Sequence, residues 1–269
     1  MRRRFRKAHG PKGPRRQRWQ EFREKRKRGI FLLPSLLTTG NLAAGFLAII
    51  FVWEGGYEQA ALAVFVAILM DILDGKVARL TKTTTQFGLE FDSLADVVSF
   101  CVAPAFLLHA WALSQLGRAA WVAAFLFVIC GALRLARFNI HSGVIDRRFF
   151  VGLPTPAAAG LVASMALFRA GEELARWELL AITGATYGVA LLMVSTFRYW
   201  SFKEVNFAKR HPVSALLVVV LAVLIVATHP QVFLFALFGI YALSGPARRL
   251  LVRKAESPAV AEPGPGEPR

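Results

Sequence analysis

Apolar residues fill long stretches of this chain, broken by short polar turns. Runs long enough to cross a bilayer, about 17 to 25 residues each, lie near 31–53, 58–80, 88–113, 118–138, 155–171, 177–199, 212–228 and 231–247. The pattern predicts about eight transmembrane helices and no substantial sheet. Short turns such as "EGGYE" and "SQLGR" separate some of them. The longer connections "NIHSGVIDRRFFVGLP" and "RYWSFKEVNFAKRHP" each carry several Lys or Arg. By the positive-inside rule these basic loops, the Lys76–Lys82 turn and both termini face the cytoplasm, and an even number of crossings agrees with that.

Composition supports a polytopic membrane protein. Hydrophobic residues make up 55% of 269 and the mean hydropathy is positive, too apolar for an ordinary soluble domain and too long for one anchor helix. The first apolar run is over 20 residues and leads into further spans without a convincing cleavage site, so it is expected to be an uncleaved first helix. Cys101 and Cys130 fall inside apolar runs and are expected to be small buried hydrophobes.

The formal net charge of +16 resembles a nucleic-acid footprint, yet most of the excess sits in the first 28 residues. There Trp19 and Phe22 stand three apart among Arg and Lys. That suits either a short helix on an anionic membrane surface or a charged topology anchor, and no nucleic-acid partner is expected. The domain reading is a basic cytoplasmic or interfacial segment at 1–29, a transmembrane catalytic domain at 30–254, and a Pro/Gly/Glu-rich disordered tail at 255–269.

One stretch breaks the apolar pattern: "MDILDGKVARLTKTTTQFGLEFDSLADVVSF", Met70 to Phe100, with four aspartates. Asp71 and Asp74 are three apart and share a helix face with Gly75 and Ala78. Gly88, Asp92 and Asp96 recur at i, i+4 and i+8 in the next helix, flanked by Ala95 and Ser99. A short basic turn makes the two helices antiparallel, so all four acids can converge near its cytoplasmic end. One Asp near a helix centre costs roughly 2.5 to 3.5 kcal/mol, and four together repel one another. Two divalent cations supply the matching charge. Hard oxygen donors without Cys/His ligand spacing favour Mg²⁺ or Mn²⁺ over zinc, and paired metals suit displacement at phosphorus. An ion transporter would hold such acids near the bilayer midplane. A structural role, with acids paired to Lys76, Arg79 and Lys82, explains about half of them.

The spacing D-x2-D-G-x2-A-R-x8-G-x3-D-x3-D, met at Asp71, Asp74, Gly75, Ala78, Arg79, Gly88, Asp92 and Asp96, resembles the signature of the CDP-alcohol phosphatidyltransferase family. The resemblance implies an all-helical membrane enzyme, commonly a homodimer, with a six-helix core that leaves the last two helices outside. It also implies two metals held by Asp71, Asp74, Asp92 and Asp96, with Asp96 as the general base toward the acceptor hydroxyl. Gly75, Arg79 and Gly88 are similar to the family's cytidine and diphosphate contacts, with Thr85 a weaker nucleotide candidate. Asn41, a lone amide in the first helix, is read either as a further contact to the CDP-lipid or as a bond between helices.

Further stretches, "LPSLLTTGNLAAGFLAI", "DSLADVVSFCVAPA", "RLARFN", "FVGLPTPAAAG" and "LMVSTFRYWSFK", resemble the phosphatidylserine synthase branch of that family. Cys101, where Gly is usual, and Thr155, where Ser is common, are mild departures. The branch implies transfer of a phosphatidyl group from CDP-diacylglycerol to L-serine with release of CMP, at the cytoplasmic side of the cell membrane. Sister enzymes use glycerol 3-phosphate, inositol or an inositol phosphate. A serine carboxylate needs a cation or a ring of donors. Arg134, Arg137, Asn139, Arg198 and Lys203 are on the correct side, though each also serves as a positive-inside anchor. His109 and His141 have no sequence partner for a nucleophile dyad.

Overall fold

The computed structural model describes residues 35–81, 85–141, 149–169, 171–200 and 228–255. The expectations for the basic segment at 1–29, the span at 212–228, Lys203 and the tail beyond Ala255 lie outside the described residues. Seven helices are described: α1 (Ser35–Trp53), α2 (Tyr57–Thr81), α3 (Gln86–Trp111), α4 (Arg118–His141), α5 (Thr155–Phe168), α6 (Arg176–Val194) and α7 (Pro230–Ala255). The protein is an all-α membrane protein. By length and apolar composition α1, α3, α4, α6 and α7 can each cross a bilayer. The 25-residue α2 has the length but carries Glu58, Asp71 and Asp74.

Helix α5 ends earlier than the sequence pattern suggested, at Phe168 rather than 171, and its 14 residues span only ~21 Å at 1.5 Å per residue. Its small side chains explain its place at the centre. Ala158, Ala159, Gly160, Ala163, Ser164 and Ala166 are all buried, which lets α2, α3 and α7 pack close around it. A Cβ at Gly160 would stand 2.5 Å from Phe238 Cζ of α7. On the other flank α4 packs along α6 and α3. Large apolar side chains such as Trp53, Leu80, Phe87, Trp177 and Ile240 point outward and are exposed, the inverse of a soluble surface and the arrangement lipid requires.

Two departures from the expected pattern frame the site. The α6 run was expected to continue to 199. It stops at Val194, and Arg198–Trp200 instead pairs antiparallel with Phe149–Val151 as a two-stranded ribbon, β2 with β1. Gly152 adopts φ 81°, open to glycine at little cost, and its N–H donates to Phe197 O at 2.8 Å. The second departure lies within α3, where Val97–Val102 widens into a π-helical segment between the α-helical Gln86–Asp96 and Ala103–Trp111. Such segments re-aim side chains within a helix, and this one begins directly after Asp96.

Candidate active site

The last turns of α2 and the first turns of α3 bring carboxylates together. One oxygen from each of Asp71, Asp74 and Asp92 lies within 4.8 Å of the others. Asp74 is buried and the other two are half-buried. At an effective dielectric of about 20, two unit charges at that separation repel by roughly 3 to 4 kcal/mol. The Thr38 hydroxyl of α1 donates to Asp74 Oδ2 at 3.1 Å, while Asp92 Oδ1 is buried without a hydrogen-bond partner. An oxygen-only donor set with a buried, unsatisfied oxygen and mutual repulsion fits a hard divalent cation.

Asp96, one turn beyond Asp92, is buried at 8% exposure and stands outside that three-carboxylate set. It lies within electrostatic reach of Asp71, Asp92 and Asp74. Asn41 Nδ2 donates to Asp96 Oδ1 at 3.0 Å, and Ser99 Oγ donates to the main-chain oxygen of Asn41 at 2.9 Å. The buried Arg134 of α4 reaches the same region. Its charge acts on Asp96, Nη1 donates to Thr155 Oγ1 at 3.2 Å, and its Nε is buried without a hydrogen-bond partner.

The other sequence-predicted residues divide by what they touch. Gly75 faces open space, with nothing within 4 Å of a Cβ placed there, and Arg79 Nε donates back to Gly75 O at 2.8 Å. Thr85 caps α3 by accepting from Gly88 N at 3.1 Å. Arg137 is turned to backbone, donating to Val194 O at 2.9 Å and Val151 O at 3.1 Å, with Met193 O and Ser195 O also within reach. Asn139 Nδ2 donates to Ser93 Oγ at 2.9 Å, beside Asp92, and Arg198 is exposed on β2.

Two contacts near the carboxylates go beyond the sequence pattern, Thr38 to Asp74 and Ser99 to the main chain of Asn41. A polar pair at i, i+3 in an apolar helix, Thr38 with Asn41, was the available signal.

The sequence profile described as CDP-alcohol phosphatidyltransferase matches residues 31–191, which takes in every described carboxylate of the cluster. The chain belongs to the CDP-alcohol phosphatidyltransferase family. It is an enzyme that transfers a phosphatidyl group from a CDP-linked donor. A Helicobacter pylori relative named CDP-diacylglycerol–serine O-phosphatidyltransferase is 36% identical over 217 residues, 80% of this chain and 90% of its own length. One of the same name from Methanocaldococcus jannaschii is 36% identical over 193 residues, covering 72% and 86% respectively. An archaetidylserine synthase from Methanothermobacter thermautotrophicus is 36% identical over 178 residues, covering 65% and 72%.

Proposed function

We propose that this transferase moves the phosphatidyl group of CDP-diacylglycerol to the hydroxyl of L-serine, giving phosphatidylserine and CMP. The observation that carries the reading is the three-carboxylate cluster of Asp71, Asp74 and Asp92 with Asp96 beside it. The names of the relatives above support serine as acceptor. Asp71, Asp74 and Asp92 would hold Mg²⁺ or Mn²⁺, as a pair of ions with Asp96 nearby, and when bound the ions would supply charge neutralisation for phosphoryl transfer.

Asp96 accepts the proton of the serine hydroxyl. The serine oxygen then forms its bond to the β-phosphorus as the bond from that phosphorus to the CMP oxygen breaks. Gly75, with its open face, gives the nucleotide room to approach the backbone, next to the exposed Arg79, and Gly88 of α3 is read as a further contact. Arg134 offers an unused guanidinium N–H to the serine carboxylate, a charge-assisted contact that orients the hydroxyl toward Asp96. Asn139 lines the same end of α4, and the exposed Arg198 of β2 carries a further positive charge.

The basic turns and termini favour an active site facing the cytoplasm at the cell membrane, and the family resemblance favours a homodimer. The named archaetidylserine synthase favours a second donor, since the carboxylates act on the headgroup and leave the lipid chains outside. CMP release measured with CDP-diacylglycerol or its ether-lipid counterpart, against serine, glycerol 3-phosphate and inositol, tests both points. Release with glycerol 3-phosphate or inositol and none with serine would contradict the proposal.

A further inference from the structure

Thr38 and Asn41 stand three apart on α1 and so share one face of the helix. Both are buried, Asn41 completely at 0% exposure. Each donates to a carboxylate on a different neighbouring helix: Thr38 Oγ1 to Asp74 Oδ2 on α2, and Asn41 Nδ2 to Asp96 Oδ1 on α3. The face is held in register by backbone contact. Ser99 Oγ donates to Asn41 O at 2.9 Å, and a Cβ on Gly45 would stand 2.7 Å from Ser99 Cα. On the α2 side Gly40 lies against Met70, with Met70 Sδ 3.5 Å from a Cβ placed there.

A carboxylate on a single helix can rotate about two side-chain torsions. A fixed donor on one of its oxygens removes that freedom and leaves the second oxygen aimed. The alternative of a nucleotide contact fits Asn41 less well. One of its amide N–H bonds is already directed at Asp96, and the side chain, including an Oδ1 without a hydrogen-bond partner, is wholly enclosed.

We propose that α1 is the orienting wall of the site, Thr38 positioning Asp74 for the divalent cation and Asn41 positioning Asp96 for the acceptor hydroxyl. Both are positioning residues, acting through the carboxylates. The inference rests on the reading of Asp71, Asp74 and Asp92 as the metal seat and of Asp96 as the base.

The test uses the full-length protein in detergent micelles or nanodiscs and has two arms. In the first, Mn²⁺ alone is titrated without substrate and followed by electron paramagnetic resonance. Thr38→Val, which replaces the hydroxyl by a methyl of similar size, is expected to weaken Mn²⁺ binding about 10- to 100-fold, as loss of an outer partner does. Thr38→Ser, which keeps the hydroxyl, is expected to restore it, and Asn41→Ala to bind Mn²⁺ as the wild type does. In the second arm, Asn41→Ala is expected to lower kcat about 10- to 100-fold with the KM for CDP-diacylglycerol unchanged. Asn41→Leu keeps the volume, removes the donor and serves if the alanine variant does not accumulate.

Thr38→Val binding Mn²⁺ like the wild type, or Asn41→Ala raising the KM for CDP-diacylglycerol at wild-type kcat, would overturn the inference. A wild-type protein that releases no CMP with serine overturns the functional reading instead, and the Mn²⁺ arm still decides the role of Thr38.

Discussion

Gly45 of α1 and Ser99 of α3 touch so closely that a side chain on the glycine has nowhere to go. A Cβ there would meet the Ser99 hydroxyl and stand 2.7 Å from its Cα. The contact falls in the π-helical segment that follows Asp96 and fixes the separation of the two helices that carry Asn41 and Asp96. Gly45→Ala is therefore expected to destabilise the fold by about 1 to 3 kcal/mol, the usual cost of overpacking, and to lower transferase rate with it. Thermal unfolding in detergent, run beside the activity assay, checks both. An unchanged melting temperature would show that the helices can separate freely.

Arg134 and Arg137 lie three apart on α4 and are expected to behave differently when removed. Arg134→Gln takes away a buried cation within electrostatic reach of Asp96 and is predicted to raise the KM for serine about 10- to 100-fold, the worth of one charge-assisted bond, with the KM for the CDP-lipid held. Arg137→Ala instead strips donors from the carbonyls of Val151 and Val194. It is predicted to cost roughly 1 to 3 kcal/mol of stability, with little rescue by Arg137→Lys, because an ammonium cannot span two separated acceptors in a fixed plane. Substrate-saturation curves and unfolding transitions separate the two outcomes.

Thr85 donates no side-chain bond to the carboxylates. It closes the first turn of α3 by accepting from Gly88 N. Thr85→Ala is expected to lose about 1 kcal/mol, the cost of a missing N-cap, and Thr85→Ser to retain it. A rise in the KM for CDP-diacylglycerol at unchanged stability would instead make Thr85 a nucleotide contact.

The acid cluster was legible because its spacing is helical: Asp71 with Asp74, and Asp92 with Asp96, can only project from one face each. The apolar runs likewise gave five of the seven described helices to within a few residues; α6 ends five residues short of its run, and α7 continues eight residues past the run read at 231–247, through the basic stretch to Ala255. The shortfalls have physical causes. Nothing in the composition of "VVSFCV" marks a π-helical segment, since the widening reflects how α3 meets α1 and α4. The end of α6 at Val194 is set by Arg137, 57 residues earlier in the chain, and by pairing of Arg198–Trp200 with Phe149–Val151, both non-local. Thr38 is not legible in the sequence because a single hydroxyl in an apolar helix can always bond to its own backbone, and only the fold shows that it reaches Asp74.

Metal removal tests the carboxylate set directly. Chelation by EDTA is expected to abolish transfer, and Mg²⁺ or Mn²⁺ to restore it, since an oxygen-only site favours hard cations. Asp92→Asn is expected to bind Mn²⁺ at least about tenfold more weakly, because it replaces a charged ligand by a neutral one. Full activity in EDTA would remove the metal from the account.

The most direct measurement of the central claim is acceptor-dependent release of CMP from CDP-diacylglycerol by the purified full-length protein in Mg²⁺ or Mn²⁺, with the lipid product identified by mass. The account predicts CMP and phosphatidylserine in equal amounts with L-serine, and neither product with Asp96→Asn. Phosphatidylserine formed at the wild-type rate by Asp96→Asn, or CMP released with another alcohol and none with serine, would contradict it.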